Sequence, residues 1–280
     1  MQKLRAEELW AASCVRATLP AVVIGQHDDN TSPNTHDFDL AVQGGRTFAA
    51  LEVTAAVDPE LLKFWKVLDG RGKRWIEPSI AGGWAVSVRP DASVKKLRAE
   101  LPGFLGALEQ VPPLYGRDIL DTDPGFAKIA DSLGVLGAHQ AGTNYPGSIY
   151  VMPELPTERT GGCVPQTGDA LSTWIGEWTA CPSRLDNLTK LARAAAVEHH
   201  LFVIVAGLAG TAPFEVNDIL MRPGAPPPAV APNLPDEVTH VWVMSTWSGG
   251  RGFRWSPDAG WGTFANDADI DAAAVLGCLC

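Results

Sequence analysis

No pair of cysteines in this 280-residue chain stands at Cys-x-x-Cys spacing. The five that occur, Cys14, Cys163, Cys181, Cys278 and Cys280, are odd in number and widely spread, which excludes a zinc ribbon and argues against a disulfide framework. Reduced thiols in a cytosol are expected. Cys278 and Cys280 offer two ligands, too few for a structural metal site, and no prenylation box accompanies them. Basic charge is also scarce: 22 Lys and Arg against 32 Asp and Glu leave a formal net charge of -10. Non-specific affinity for nucleic acid comes from clustered cations neutralising phosphates, so any polynucleotide contact has to be local. No window approaches the roughly 18 consecutive apolar residues of a spanning helix. The apolar stretch from Leu201 to Ala209 is only strand-length, and no membrane partner is expected. Met1 to Val15 mixes Lys3, Arg5, Glu7 and Glu8 with Leu9 and Trp10 and lacks a signal peptide's apolar core, so no export is implied and a cytoplasmic location follows. A Gly-x-Ser-x-Gly elbow and a Walker pattern are absent too, which removes the serine-hydrolase and P-loop readings.

What is present is enough apolar residue, 46% against 19% charged, to bury a sizeable core. Leu4, Leu9, Ala12 and Val15 share a face and predict a first helix over Gln2 to Ala17, closed by Pro20. A strand over Ala21 to Gly25 and a polar loop from Gln26 to Thr35 follow. Asp58-Pro59 predicts a helix start, with Leu61, Leu62, Trp65 and Leu68 on its apolar side. Gly83 to Arg89 alternates as a half-buried strand, and Ser93 to Gln110 is helical in pattern but broken at Pro102-Gly103. Helices over Pro124 to Leu133 and Ser183 to His199 precede strands over Ser148 to Met152 and Leu201 to Ala206, the last a continuous apolar run suited to burial on both faces. Alternating helix and strand predicts an α/β fold with one mixed central sheet flanked by helices. Residues 1–220 are expected to form this domain and 221–235 a proline-rich connector. Residues 236–280 follow as a Trp/Gly-rich β extension of the same fold, being too few to stand alone.

The clearest local signal is a hairpin. Phe38 to Val42 and Thr47 to Thr54 are β-rich runs joined by Gln43-Gly44-Gly45-Arg46. With Gly44-Gly45 as the loop, Asp39 falls opposite Ala50 and Asp37 opposite Glu52. Asp37, Asp39, Glu52 and Thr54 then share one face, while Phe38, Leu40, Val42, Leu51 and Val53 occupy the other. Asp39 and Glu52 become diagonal neighbours roughly 6 to 8 Å apart. One or two Mg²⁺ ions can bridge such a span and remove the repulsion between the acids.

His36-Asp37-Phe38-Asp39-Leu40 followed by Ala50-Leu51-Glu52-Val53-Thr54 resembles the PD-(D/E)XK nuclease superfamily, and an uncharacterised bacterial branch of it in particular. Its site is an Asp on one strand of a hairpin and Glu-x-Lys on the next; the acidic first helix, with Glu7 and Glu8, is also similar. The resemblance covers about residues 1 to 90. It implies a restriction-endonuclease-like core, Mg²⁺ held by Asp37, Asp39 and Glu52, catalysis by Asp39 and Glu52, and hydrolysis of phosphodiester bonds in nucleic acid. The departure is Thr54, which stands where the family has lysine. Lys63 or Lys66, on the following helix, is the expected replacement; Arg74 holds its proton too tightly to serve as a base.

Other features carry blander readings beside functional ones. His199-His200 stands at the start of the buried strand, where a structural histidine is the expectation. Asn187, Lys190 and Arg193 read as a solvated helix face that also suits phosphate. Gly249-Gly250-Arg251-Gly252 with Phe253, Arg254 and Trp255 reads as a tight turn beside packed tryptophans, against a single-strand binding element. Beside the nuclease-like expectation stand a non-catalytic binding or regulatory module of the same fold and an interaction protein with a Trp-rich C-terminal surface for a protein partner.

Overall fold

The computed structural model describes residues 4–28, 34–59, 61–64, 75–111, 120, 123–140, 145–155, 157–162, 164–207 and 210–266. In chain order the first elements are α1 (Ala6–Thr18), β1 (Val22–Gln26), β2 (Phe38–Val42), β3 (Thr47–Ala56), β4 (Trp75–Ile76), β5 (Trp84–Val88), α2 (Val94–Glu109) and α3 (Pro124–Leu133). They are followed by β6 (Val135–Gln140), β7 (Ser148–Pro153), α4 (Thr157–Thr160), α5 (Asp169–Thr179), α6 (Leu185–Arg193), β8 (Glu198–Val205), α7 (Phe214–Met221), β9 (His240–Ser245), β10 (Arg251–Ser256) and β11 (Gly260–Ala265). Two compact units result: described residues up to Asp58 with those from Thr157 onward, and those from Pro59 to Leu155. The strands form two sheets where one was expected.

The first unit holds a seven-stranded mixed sheet in the order β1-β2-β3-β8-β9-β10-β11. β1, β2 and β3 run antiparallel in succession; β3, β8 and β9 are parallel; β10 and β11 return antiparallel. Side-chain alternation sorts β8 into two cores. Phe202 and Ile204 meet Trp10, Val15, Leu51, Val53 and Trp242 on the α1 side. Leu201, Val203 and Val205 meet Trp174, Leu188, Leu191 and Ile219 of α5, α6 and α7 on the other. A sheet covered on both faces explains why Leu201 to Val205 reads as an unbroken apolar run. Residues 236–266 supply β9, β10 and β11 to this same sheet.

The second unit is a four-stranded sheet ordered β4-β7-β5-β6, with α2 and α3 packed through Leu97, Leu101, Leu105 and Leu133. α3 shows local chemistry that the sequence states outright. Asp123 accepts the Gly125 and Phe126 N–H groups, Pro124 opens the helix, and Gly134 ends it at φ 76°. α2 corrects the expected break: it runs through Pro102, because Leu97, Leu101, Phe104, Leu105 and Leu108 are all buried along one side. Core burial outweighs the one hydrogen bond that a proline removes.

The expected helix over Ser183 to His199 is also corrected. It stops at Arg193, and Glu198 to His200 already belong to β8, which pairs with β3 continuously from Ala49↔Glu198 to Ala56↔Val205. That ladder outcompetes local helical preference. α5, α7 and β6 had no counterpart in the sequence reading. Residues 61–64 are helical as expected, while Trp65, Leu68 and the basic turn of Arg71, Lys73 and Arg74 lie outside the described residues. Among the described residues no helix is long and apolar enough to cross a membrane.

Candidate functional site

The hairpin forms with the register expected away from its turn: Phe38 faces Leu51, Asp39 faces Ala50 and Leu40 faces Ala49. Next to the turn the pairing slips by one residue, so that Ala41 faces Thr47. The Gly45 N–H donates to the Val42 carbonyl at 2.8 Å, with Gly44 at φ 73°. Phe38, Leu40, Leu51 and Val53 are buried under α1, as the alternation requires. The opposite face is not open to water. Ala50 and Ala56 pack in the core below α5, α6 and α7, and Glu52, between them on the same strand, is only 1% exposed.

A buried carboxylate needs a partner, and α6 provides one. Lys190 Nζ donates to Glu52 Oε1 at 2.8 Å, and one helical turn earlier Asn187 Nδ2 donates to Thr54 Oγ1 at 2.9 Å. Residues three apart on α6 thus read residues two apart on β3, so the solvated-face reading fails for Asn187 and Lys190 while Arg193 is exposed. Glu52 Oε2 is buried without a hydrogen-bond partner. Burial and the nearby charge of Asp37 push the Glu52 carboxyl up to about 8, against the opposing pull of Lys190. For Lys190, burial works against the charged form, but the hydrogen bond and charge of Glu52 outweigh it and raise the ammonium above its usual value.

Asp37 precedes β2 and is 3% exposed. Val53 lies two residues beyond Leu51, so its N–H faces the same edge, and Asp37 Oδ2 accepts it at 2.6 Å. Arg5 Nη2 lies 3.6 Å from the other Asp37 oxygen, while Arg5 also pairs with Glu7 and Glu8 of the first turn of α1. Burial raises Asp37 to about 6; the Val53 N–H opposes this and the charge of Glu8 adds to it. Asp37, Glu52, Lys190 and Arg5 consequently form one electrostatic group.

Asp39 does not join them. Its Oδ2 lies 2.8 Å from His27 Nδ1 and its Oδ1 3.0 Å from His36 Nε2. Those bonds outweigh burial and hold the Asp39 carboxyl below its usual range. Groups of three potential ligand atoms within 4.8 Å of one another occur at His27, His36 and Asp39 and at Glu198, His200 and His240 among the described residues. The expected three acids, Asp37, Asp39 and Glu52, do not form such a group among the described residues; Asp39 is held by two imidazoles instead. Lys63 is exposed and belongs to the second unit, and Lys66 lies outside the described residues.

The remaining candidates are mostly structural. His200 Nδ1 accepts the Trp242 indole N–H at 3.2 Å while Nε2 faces Glu198 at 2.8 Å, a satisfied core histidine. Gly249 and Gly250 have φ of 62° and 82° and turn β9 into β10. Arg254 stacks over the Trp242 ring at 4.9 Å, which engages it inside the fold. Trp242 is fully buried, Trp255 and Trp261 are half-buried against the core, and Trp247 is 48% exposed. These four tryptophans therefore make no contiguous exposed patch. No family model, curated protein or solved structure matches the chain.

Proposed function

We propose that the chain is a divergent, metal-dependent nuclease-like hydrolase whose site is Asp37, Glu52 and Lys190. The observation that carries this reading is the 2.8 Å contact of Lys190 Nζ with Glu52, together with Asn187 on Thr54. A lysine reaches the hairpin from α6 beside the strand position where the resembled superfamily has its own, so the departure at Thr54 no longer counts against catalysis. The mixed sheet, with the acidic start of α1 on one side of the hairpin and α6 on the other, supports a restriction-endonuclease-like core.

Two buried carboxylates, each raised by burial, and the unpartnered Glu52 Oε2 fit a hard divalent cation. Mg²⁺ keeps several waters and needs only one or two protein carboxylates, so the departure of Asp39 is compatible with it. When bound, the ion would polarise a phosphate and acidify a water. The raised Lys190 ammonium keeps its proton at neutral pH and acts as a fixed positive charge for a phosphate oxygen, not as a base. Burial lifts Asp37 to about 6 in the ion's absence; with an ion bound, Asp37 would serve as its ligand beside Glu52.

One observation favours a second reading, a non-catalytic module of the same fold. Glu52 and Asp37 are 1% and 3% exposed, a narrow approach for a phosphodiester. Cleavage of labelled single-stranded and duplex DNA and RNA with Mg²⁺ or Mn²⁺ separates the two. Asp37→Asn, Glu52→Gln and Lys190→Met should each lower the rate by about a hundredfold or more. A parent protein inactive on every substrate, or variants as active as the parent, would refute the nuclease reading.

A further inference from the structure

Two clusters outside the proposed catalytic group bring histidine and carboxylate atoms together, and hydrogen bonding distinguishes them. In the Glu198 cluster, His200 Nδ1 accepts the Trp242 N–H, so the proton of the neutral ring sits on Nε2 and points at Glu198. A metal on Nε2 would force that proton onto Nδ1, against the indole donor. The rings of His200 and His240 are stacked at 4.2 Å inside the core, and this cluster is a polar network, not a metal site.

The cluster at the β1–β2 end has the opposite character. His27 follows β1 directly, His36 stands two residues before β2, and Asp39 is the second residue of β2. The imidazoles stack at 4.0 Å with 15° between their planes, and each aims one nitrogen at the same carboxylate. No described residue takes the second nitrogen of either ring, which leaves both tautomers free to present a lone pair. Side-chain exposure rises from 7% at His36 to 35% at Asp39 and 40% at His27, so the cluster is anchored at one end and open to solvent at the other.

We propose that His27, His36 and Asp39 bind one divalent transition-metal ion of the Zn²⁺ or Fe²⁺ class. Two imidazoles and one carboxylate with open positions are a donor set for such ions, and imidazole does not suit Mg²⁺. Tetrahedral bonds of about 2.0–2.1 Å require ligand atoms about 3.4 Å apart. The three atoms already lie within 4.8 Å, and the exposed His27 side chain can close the difference by a small rotation. The ion replaces the two N–H protons that Asp39 accepts in its absence. The site is independent of the nuclease reading, since it shares no side chain with Asp37, Glu52 and Lys190.

The test uses the full chain without an affinity tag, stripped with a chelator and titrated with Co²⁺ by visible absorption. With excess Mg²⁺ present to fill any carboxylate site, one equivalent of Co²⁺ should bind, and Zn²⁺ should displace it. His27→Gln, His36→Gln and Asp39→Asn should each weaken uptake more than about tenfold, while Glu52→Gln and Glu198→Gln leave it unchanged. Should His36→Gln fail to fold, the exposed His27→Gln carries the decision. No Co²⁺ uptake, uptake indifferent to His27→Gln and Asp39→Asn, loss in Glu198→Gln, or a thiolate charge-transfer band pointing to cysteine ligands would each overturn the proposal.

Discussion

Replacing Lys190 by Met keeps most of the aliphatic stem and removes the charge 2.8 Å from Glu52. The side chains are 20% and 2% exposed respectively, so the pair is largely buried. Removing one partner of such a pair costs about 3–5 kcal/mol when the other stays charged. Glu52 can avoid that by holding a proton, because its carboxyl has been pushed from 4.5 to about 8. At pH 6 it is neutral in parent and variant alike, and the loss is one charge-assisted hydrogen bond, about 2 kcal/mol. A carboxyl raised on folding stabilises fully below its unfolded value and loses that contribution as pH climbs to the folded one. The parent's Glu52 contribution therefore declines between pH 4.5 and about 8 and then levels. Without Lys190, which holds Glu52 down, the decline continues above pH 8 at about 1.4 kcal/mol per pH unit. The stability difference should therefore widen from about 2 kcal/mol at pH 6 as the pH rises past 8. Urea unfolding followed by fluorescence of the buried Trp10, Trp174, Trp178 and Trp242 measures it. A difference constant across this range would refute the assigned coupling between Lys190 and Glu52.

Thr54→Lys in the Lys190→Met background puts a cation on Glu52's own strand, at the position Asn187 now contacts. It should recover at least about tenfold of the cleavage lost in the single variant; a folded double variant with no recovery argues that a lysine there has no catalytic part. Gly252→Ala should cost about 1–3 kcal/mol, because a Cβ on β10 would lie 2.4 Å from the Val243 carbonyl oxygen and 2.5 Å from Phe264. Gly106→Ala in α2, where a Cβ meets nothing within 4 Å, should instead stabilise by about 0.5–1 kcal/mol. Thermal unfolding of both variants checks the pair, and a neutral Gly252→Ala would contradict the close packing of β9, β10 and β11.

The hairpin was legible in the sequence because its information is local. Period-two alternation set Phe38, Leu40, Leu51 and Val53 against Asp39 and Glu52, and two glycines marked the turn. The caps of α3 and the buried character of Leu201 to Val205 were equally local. α5 and α7 were not read, and the Pro102 break was overestimated, since burial of Leu101 and Phe104 depends on what packs against them. The site followed the same division. Asp37 and Glu52 were named from strand register, but their burial could not be, because a polar hairpin face implies solvent until a helix is known to cover it. Lys190 is separated from Glu52 by 138 positions, and only the parallel β3–β8 crossover sets α6 above it. The sequence reading noticed Asn187 and Lys190 as one polar helix face, which is the signal that existed; helical periodicity says that two residues share a face, not whether the face meets water or a sheet. His27 likewise lay in a stretch read as loop and His36 just beyond it, and Asp39 went to them because hydrogen-bond partners are decided by proximity. The sequence by itself therefore determined which residues could be charged, alternating or turned, and tertiary packing decided which charges were buried together, because desolvation and pairing depend on neighbours far along the chain.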